Sequence, residues 1–192
     1  MKSILPALAI ATGSLLGLAS FGAHAADGSF TINGTVTAST CSINSTPAGT
    51  TYSKTITLPT VAASALSSAG ATAGVSQAAD IQINLTGCSA QTTKAVATWE
   101  NGSPVDQTTG NLMNQASTGA AGNVEVQLLN AAMQPIDIRS NSNNTLANNN
   151  GVTVTAGNTT APLQYYAQYV ANGGAASAGA VKATASFTMS YQ

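Results

Sequence analysis

The side chains able to do chemistry in this 192-residue chain are few: one histidine, two cysteines, six carboxylates and five basic residues. The histidine, His24, stands in Ala23-His24-Ala25, the A-x-A pattern of a signal-peptide cleavage site, and would leave with the leader. The remainder then holds no imidazole, which excludes Ser-His-Asp and Cys-His nucleophiles and any histidine metal site. Paired carboxylates can share acid–base work, but Glu100 and Asp106 flank the turn Asn101-Gly102-Ser103-Pro104 and read as solvated. Cys41 and Cys88 pair most simply as one disulfide in an exported chain. Closing a loop of about 48 residues should stabilise the fold by roughly 4 kcal/mol in the chain-entropy picture. Zinc is the poorer alternative, because its other ligands are missing. The expectation is a protein that is not an enzyme, with no metal and no cofactor.

The elements that place these residues begin with the leader. Met1-Lys2 is a short positive start, an apolar run follows to Leu18, and cleavage after Ala25 makes 1–25 a signal peptide. No later run approaches the roughly 20 apolar residues that span a bilayer, so no membrane insertion is expected. Residues 26–37 read as an N-terminal extension and 38–192 as one domain long enough to bury a core. Beyond the leader the basic residues are Lys54, Lys94, Arg139 and Lys182, against six acidic ones. With no basic patch to neutralise phosphates, nucleic acid is excluded as a partner. So few charges also leave little repulsion between copies, a liability for a diffusing protein and tolerable for a subunit packed in a polymer.

Hydrophobic alternation predicts strands at 52–58, 80–86, 94–100, 123–129, 136–138, 152–155 and 163–170. Ile81, Ile83 and Leu85 point inward on one of them, Ala95, Ala97 and Trp99 on another, and Val124, Val126 and Leu128 on a third. Trp99, Tyr165 and Tyr169 share this alternation and read as core fillers. Residues 61–74 read as a loop with one helical turn, 110–122 as a polar loop, and the asparagine-rich 140–151 as an irregular surface loop. Many short strands with turns between them and no amphipathic helix predict an all-β antiparallel sandwich.

Two alternating stretches, at the two ends, stand apart. In the first, Phe30, Ile32, Gly34 and Val36 share one face, on a chain end that would fray unless something held it. In the last, Gly179 leads into Val181, Ala183, Ala185, Phe187, Met189 and Tyr191 on one face, with Lys182, Thr184, Ser186, Thr188 and Ser190 on the other. Nothing in the sequence follows this strand to pair with its second edge, and an uncovered edge beside an apolar face invites another chain. The first strand has the pattern of a plug and the last that of a socket.

On these residues the chain resembles the major fimbrial (pilin) subunits of the chaperone–usher pathway, close to the type 1-like kind. The features that carry the resemblance are Ile32-Asn33-Gly34-Thr35-Val36 ahead of Cys41, Cys88 after Ile81-Gln82-Ile83-Asn84-Leu85, the penultimate Tyr191, and Gly179 fourteenth from the end. The resemblance implies an incomplete immunoglobulin-like antiparallel β-sandwich lacking its last strand, with a free N-terminal donor strand. It implies export through the periplasm, where a fimbrial chaperone fills the gap, and an outer-membrane usher that exchanges the chaperone for the next subunit's extension. The product is an extracellular fimbrium that supports cell adhesion, built head to tail from neighbouring copies of the same subunit. Gly28, Phe30, Ile32, Gly34 and Val36 would be the donor residues, and the face from Gly179 to Tyr191 the acceptor. Gly28 departs from the larger residue usual at the first pocket. A minor adaptor or terminator subunit, or a secreted monomeric binding module closed by its own strand, are the alternatives.

Overall fold

The computed structural model describes residues 41–147 and 150–192, which belong to one compact unit. The expected signal peptide and the donor residues Gly28, Phe30, Ile32, Gly34 and Val36 lie outside the described residues. In chain order the strands are β1 (Ser42–Ile43), β2 (Thr72–Ala73), β3 (Ile81–Ile83), β4 (Leu85–Thr86), β5 (Lys94–Trp99) and β6 (Leu112–Met113). They continue as β7 (Val124–Leu129), β8 (Pro135–Ile136), β9 (Val152–Thr155), β10 (Asn158–Thr159), β11 (Leu163–Ala171) and β12 (Phe187–Tyr191). A 3-10 turn, Ala63–Leu66, is the only helical element among the described residues.

Two antiparallel sheets form, as the alternation predicts. One runs β10-β9-β5-β12 and the other β2-β11-β7-β6, with β3 also on β11 and β8 also on β7; β1 and β4 make a separate two-stranded ribbon. The inward residues of β5, β7 and β11 meet in one core, where Ala95, Ala97, Trp99, Val126, Leu128, Leu163, Tyr165 and Ala167 are buried. Trp99 lies edge-on to Tyr165 at 5.2 Å and to Phe187 at 5.6 Å, the T-shaped geometry that aromatic quadrupoles favour. Tyr169 packs against the same core while half-buried.

Several expectations are corrected. Residues 80–86 do not form one strand: β3 pairs with β11 and β4 with β1, and the chain changes partner at Asn84. Asn44 makes that change possible, since its side-chain amide donates to the Gln82 carbonyl at 2.8 Å and its oxygen accepts the Asn84 N–H at 2.8 Å. In 52–58, Tyr52, Ile56 and Leu58 are half-buried and Lys54 is exposed, and the segment joins no ladder among the described residues. In 136–138 the ladder stops at Ile136, although Ile138 is buried, and β6 emerges from what reads as polar loop.

The asparagine-rich 140–151 is no mere surface loop. β9 covers the edge of β5 only at Lys94 and Ala95, and asparagine side chains take over where it stops. Asn141 accepts the Trp99 N–H at 2.8 Å and donates to the Trp99 carbonyl at 2.9 Å, as a neighbouring strand would. Asn144, 1 % exposed, donates to the Ala97 carbonyl at 2.7 Å and accepts the Tyr165 hydroxyl at 3.0 Å. That hydroxyl accepts the Ala97 N–H in turn. The Asn141 and Asn144 amides, the Tyr165 hydroxyl and the backbone groups they meet are all partnered, the condition under which such a network stabilises a core, while the buried Trp99 indole N–H is left without a partner.

Burial pushes the Tyr165 phenol up to about 12, an effect only partly offset by its hydrogen bond with Ala97. A phenol that titrates higher in the folded chain than in the unfolded one contributes stability that is complete below pH 10 and is lost as the pH rises toward 12. The unfolding free energy is therefore expected to fall by about 1.4 kcal/mol per pH unit across that window. Denaturant titrations at stepped alkaline pH would show this slope, and Tyr165→Phe should flatten it.

Candidate functional site

β12 is hydrogen-bonded along one edge alone among the described residues. Phe187 through Tyr191 face Trp99 through Ala95 of β5 in antiparallel register, and the Glu100 N–H donates to the Ser186 carbonyl just beyond. Upstream, residues 181–186 join no ladder among the described residues, and at 180–182 the chain leans on 114–121 instead. The Ala121 N–H donates to the Ala180 carbonyl and the Gln115 N–H to the Lys182 carbonyl. The Asn114 side chain bridges both, donating to the Ala180 carbonyl and accepting the Lys182 N–H at 3.0 Å. Gly179 is a contact point: a Cβ there would press into the backbone of Gly119, Ala120 and Ala121. Gly179→Val is expected to force that backbone apart and cost about 1–3 kcal/mol, read as a lower denaturation midpoint at unchanged m-value.

The alternating burial of this last stretch is the key observation. Val181, Ala183, Ala185, Phe187, Met189 and Tyr191 are half-buried, between Lys182, Thr184, Ser186 and Thr188, which are exposed. None of the six reaches the full burial of Ala95, Ala97 and Trp99 beside them in the same sheet. The inner face of the sandwich runs out of cover at this edge.

Across from β12 lies the segment 51–61. Tyr52, Ile56, Leu58 and Val61 are half-buried, but among the described residues its backbone joins no ladder. A side chain tethers it: Lys54 Nζ donates to the Ala79 carbonyl at 3.1 Å and the Asp80 carbonyl at 2.7 Å. Two cavities lie along this edge. The larger, about 590 Å³, is lined by Cys41, Ile43, Tyr52, Phe187, Met189 and Tyr191 among others. The smaller, about 310 Å³, lies upstream of β12 and is lined by Val61, Leu66, Val124, Tyr169, Gly179 and Val181 among others. Ala183 lines neither. Burial raises the Tyr191 phenol above its usual value, offset in part by a hydrogen bond with the Cys41 backbone.

Cys41 and Cys88 are joined as a disulfide. The bond fastens the first described residue of the 41–61 wall to the residue two beyond β4, and the Cys88 N–H is held by the Gly157 carbonyl at 2.9 Å. Glu100 is exposed, as expected, and Thr188 Oγ1 donates to it at 2.6 Å. Asp106 is drawn below the usual carboxylate range, mainly by the Thr108 N–H. The carboxylate that sequence reasoning missed is Glu125, 5 % exposed on β7. It accepts from Thr109 Oγ1, Asn111 Nδ2 and Asn172 Nδ2 at 2.8, 3.0 and 2.6 Å, which leaves it a satisfied structural group. Among the described residues no cluster of three or more His, Cys, Asp or Glu side chains could hold a metal, and no helix is long and apolar enough to cross a membrane. The arrangement offers no reacting groups. What it offers is an apolar groove whose two walls join no ladder along their facing edges among the described residues.

Comparison with known proteins gives this geometry its context. The chain is 45% identical over 179 residues to the major fimbrial subunit SMF-1 of Stenotrophomonas maltophilia, covering 92% of this chain and 99% of that one. It is 37% identical over 187 residues to the F17 fimbrial protein of Escherichia coli, covering 94% and 96%. Among solved structures, a subunit of a chaperone–usher pilus studied for rod uncoiling superposes with a TM-score of 0.51 at 25% identity, over 87% of this chain and 96% of that one. A type I fimbria protein and antigen of Burkholderia pseudomallei gives 0.50 at 25% identity, over 79% and 89%. These relatives are structural subunits rather than enzymes. Residues 58–192 match the family model described as Type-1 fimbrial protein, A, and the chain belongs to that family, the fimbrial subunits of chaperone–usher pili.

Proposed function

We propose that this chain is the polymerising shaft subunit of its fimbria, and that the groove between β12 and 51–61 takes the 26–37 extension of the next copy. The observation that carries this reading is the pair of walls that, among the described residues, have no ladder partner on their facing edges: one inserted strand would hydrogen-bond on both sides and cover the half-buried row from Val181 to Tyr191 at once. The extension has the length and pattern for it. Gly28 to Val36 spans about 26 Å as a strand, and every second residue faces the same way.

The two cavities support a direction. Setting Gly34 opposite Ala183, which lines neither, seats Val36 by Val181 at the smaller cavity. Ile32 and Phe30 then face Ala185 and Phe187 at the larger one, with Gly28 by Met189. The inserted strand runs antiparallel to β12 in this register. Burying Phe30, Ile32 and Val36 at about 1.5–3 kcal/mol each gives roughly 5–9 kcal/mol before ordering costs. Because plug and socket occupy different parts of one molecule, the contact is heterologous and builds an open filament rather than a closed ring. The likeness to a major subunit over nearly its whole length favours the shaft over an adaptor. A periplasmic chaperone and an outer-membrane usher complete the route to the cell surface in this reading.

The test is refolding a chain that lacks residues 26–37 with and without a synthetic peptide of those residues. A cooperative unfolding transition that needs the peptide, and is not given by a peptide with Phe30 and Thr31 exchanged, supports the reading. An equally stable fold without any peptide overturns it.

A further inference from the structure

We propose that the Cys41–Cys88 disulfide is a mechanical clamp, which carries tension past the wall of the groove so that the wall is never peeled away. The inference rests on the donor-strand reading given above, since that reading sets where load enters and leaves a subunit. In a stretched filament each subunit is pulled at two places. One is the chain just before Cys41, which continues into the strand seated in the next molecule. The other is the groove, where a neighbour's strand lies between β12 and 51–61.

The segment that begins at Cys41 is therefore both the point of loading and one wall of the socket. Its hydrogen bonding to the rest of the described fold is thin. β1 contributes two residue pairs with β4, Asn44 adds its contacts to Gln82 and Asn84, and Lys54 reaches two carbonyls. Residues 51–61 contribute no ladder pair among the described residues. Pulled from its N-terminal end, such a segment opens pair by pair, each bond loaded alone. The neighbour's strand would lose one side of its seat as the wall came off.

The disulfide changes the route. Load arriving at Cys41 crosses to Cys88, which is anchored through its N–H to the Gly157 carbonyl in the turn between β9 and β10, and so reaches the sheet that contains β5 and β12. The chain between the two cysteines, which includes β1, the whole 51–61 wall, β3 and β4, carries no tension. The partners are 47 positions apart, so at about 3.4 Å per residue roughly 160 Å of chain is withheld from extension. No other cysteine remains free to rearrange the bond.

The experiment is constant-force stretching of filaments isolated with the bond intact, before and after reduction and alkylation, with mass spectrometry showing both thiols capped. The expected result is that capping shortens the lifetime of a joint under load at least tenfold, and that a lengthening of roughly 160 Å precedes each rupture. Filaments whose joint lifetimes and released lengths are the same before and after capping overturn the clamp. A Cys41→Ser, Cys88→Ser double variant that assembles gives the same readout without chemical treatment. Failure of the underlying reading looks different: filaments would then form and hold load without residues 26–37, whatever the state of the disulfide.

Discussion

A chain lacking residues 26–37 is expected to reach the periplasm, to accept a strand, and to give none. Co-expressed with the full-length protein it should cap filaments, so that mean filament length in electron micrographs falls roughly in proportion to its share of the mixture. Expressed alone it should form no filaments. The expectation follows from the separation of the two halves of the joint. The groove is lined by residues of 41–66 and 176–191 together with Ala121, Val124 and Tyr169, none of which the deletion touches. Normal filaments made by the deleted chain alone would show that the contact between subunits lies elsewhere.

Phe30→Arg should nearly match the deletion in its effect on assembly while leaving the isolated domain as stable as before. Phe30 is the largest apolar residue of the extension. Losing its burial forfeits about 1.5–3 kcal/mol, and placing an unpaired cation between Phe187 and the apolar wall adds several more. The two together lower the affinity of one copy for the next by at least 1,000-fold, because each 1.4 kcal/mol is a factor of ten. A peptide-binding titration against the deleted chain measures this directly. Phe30→Leu serves as the control that keeps most of the apolar area. An arginine peptide that bound as well as the native one would place Phe30 outside the groove. The clash is confined to the joint, so circular dichroism of the domain itself should not change.

How much of this could be read from the residues alone depended on which question the side chains answer. Period-two alternation reports where side chains point, and the inward rows of β5, β7 and β11 are buried as that alternation requires. It does not report who pairs with whom. Residues 52–58 alternate as cleanly as a strand yet have no ladder partner among the described residues, and 80–86 alternates straight through Asn84 although its two halves belong to different sheets. The asparagine run is a loop, as its composition reads, but its bonding was hidden: an asparagine side chain carries an amide NH2 donor and a carbonyl acceptor, the same kinds of group that a peptide unit offers. Asn141 uses both on Trp99, and Asn144 both on Ala97 and Tyr165. Side chains thus stand in for the missing neighbour of β5, and nothing in a hydrophobic pattern signals it. Glu125 was hidden for the opposite reason, since a carboxylate in a strand reads as solvent-facing until the amides around it are placed.

Because 51–61 joins no ladder among the described residues, the molecule can serve as its own protease footprint. Lys54 lies in the middle of that stretch, exposed, held by two side-chain hydrogen bonds rather than by a ladder. Trypsin cuts chain that can detach locally into an extended form, and so short a tether offers little resistance. In the proposed joint, a strand seated along the wall would place the same peptide bond in the middle of a sheet. The rate of cleavage after Lys54, followed on a gel against that after Arg139 as an internal clock, would count filled and empty subunits without any label.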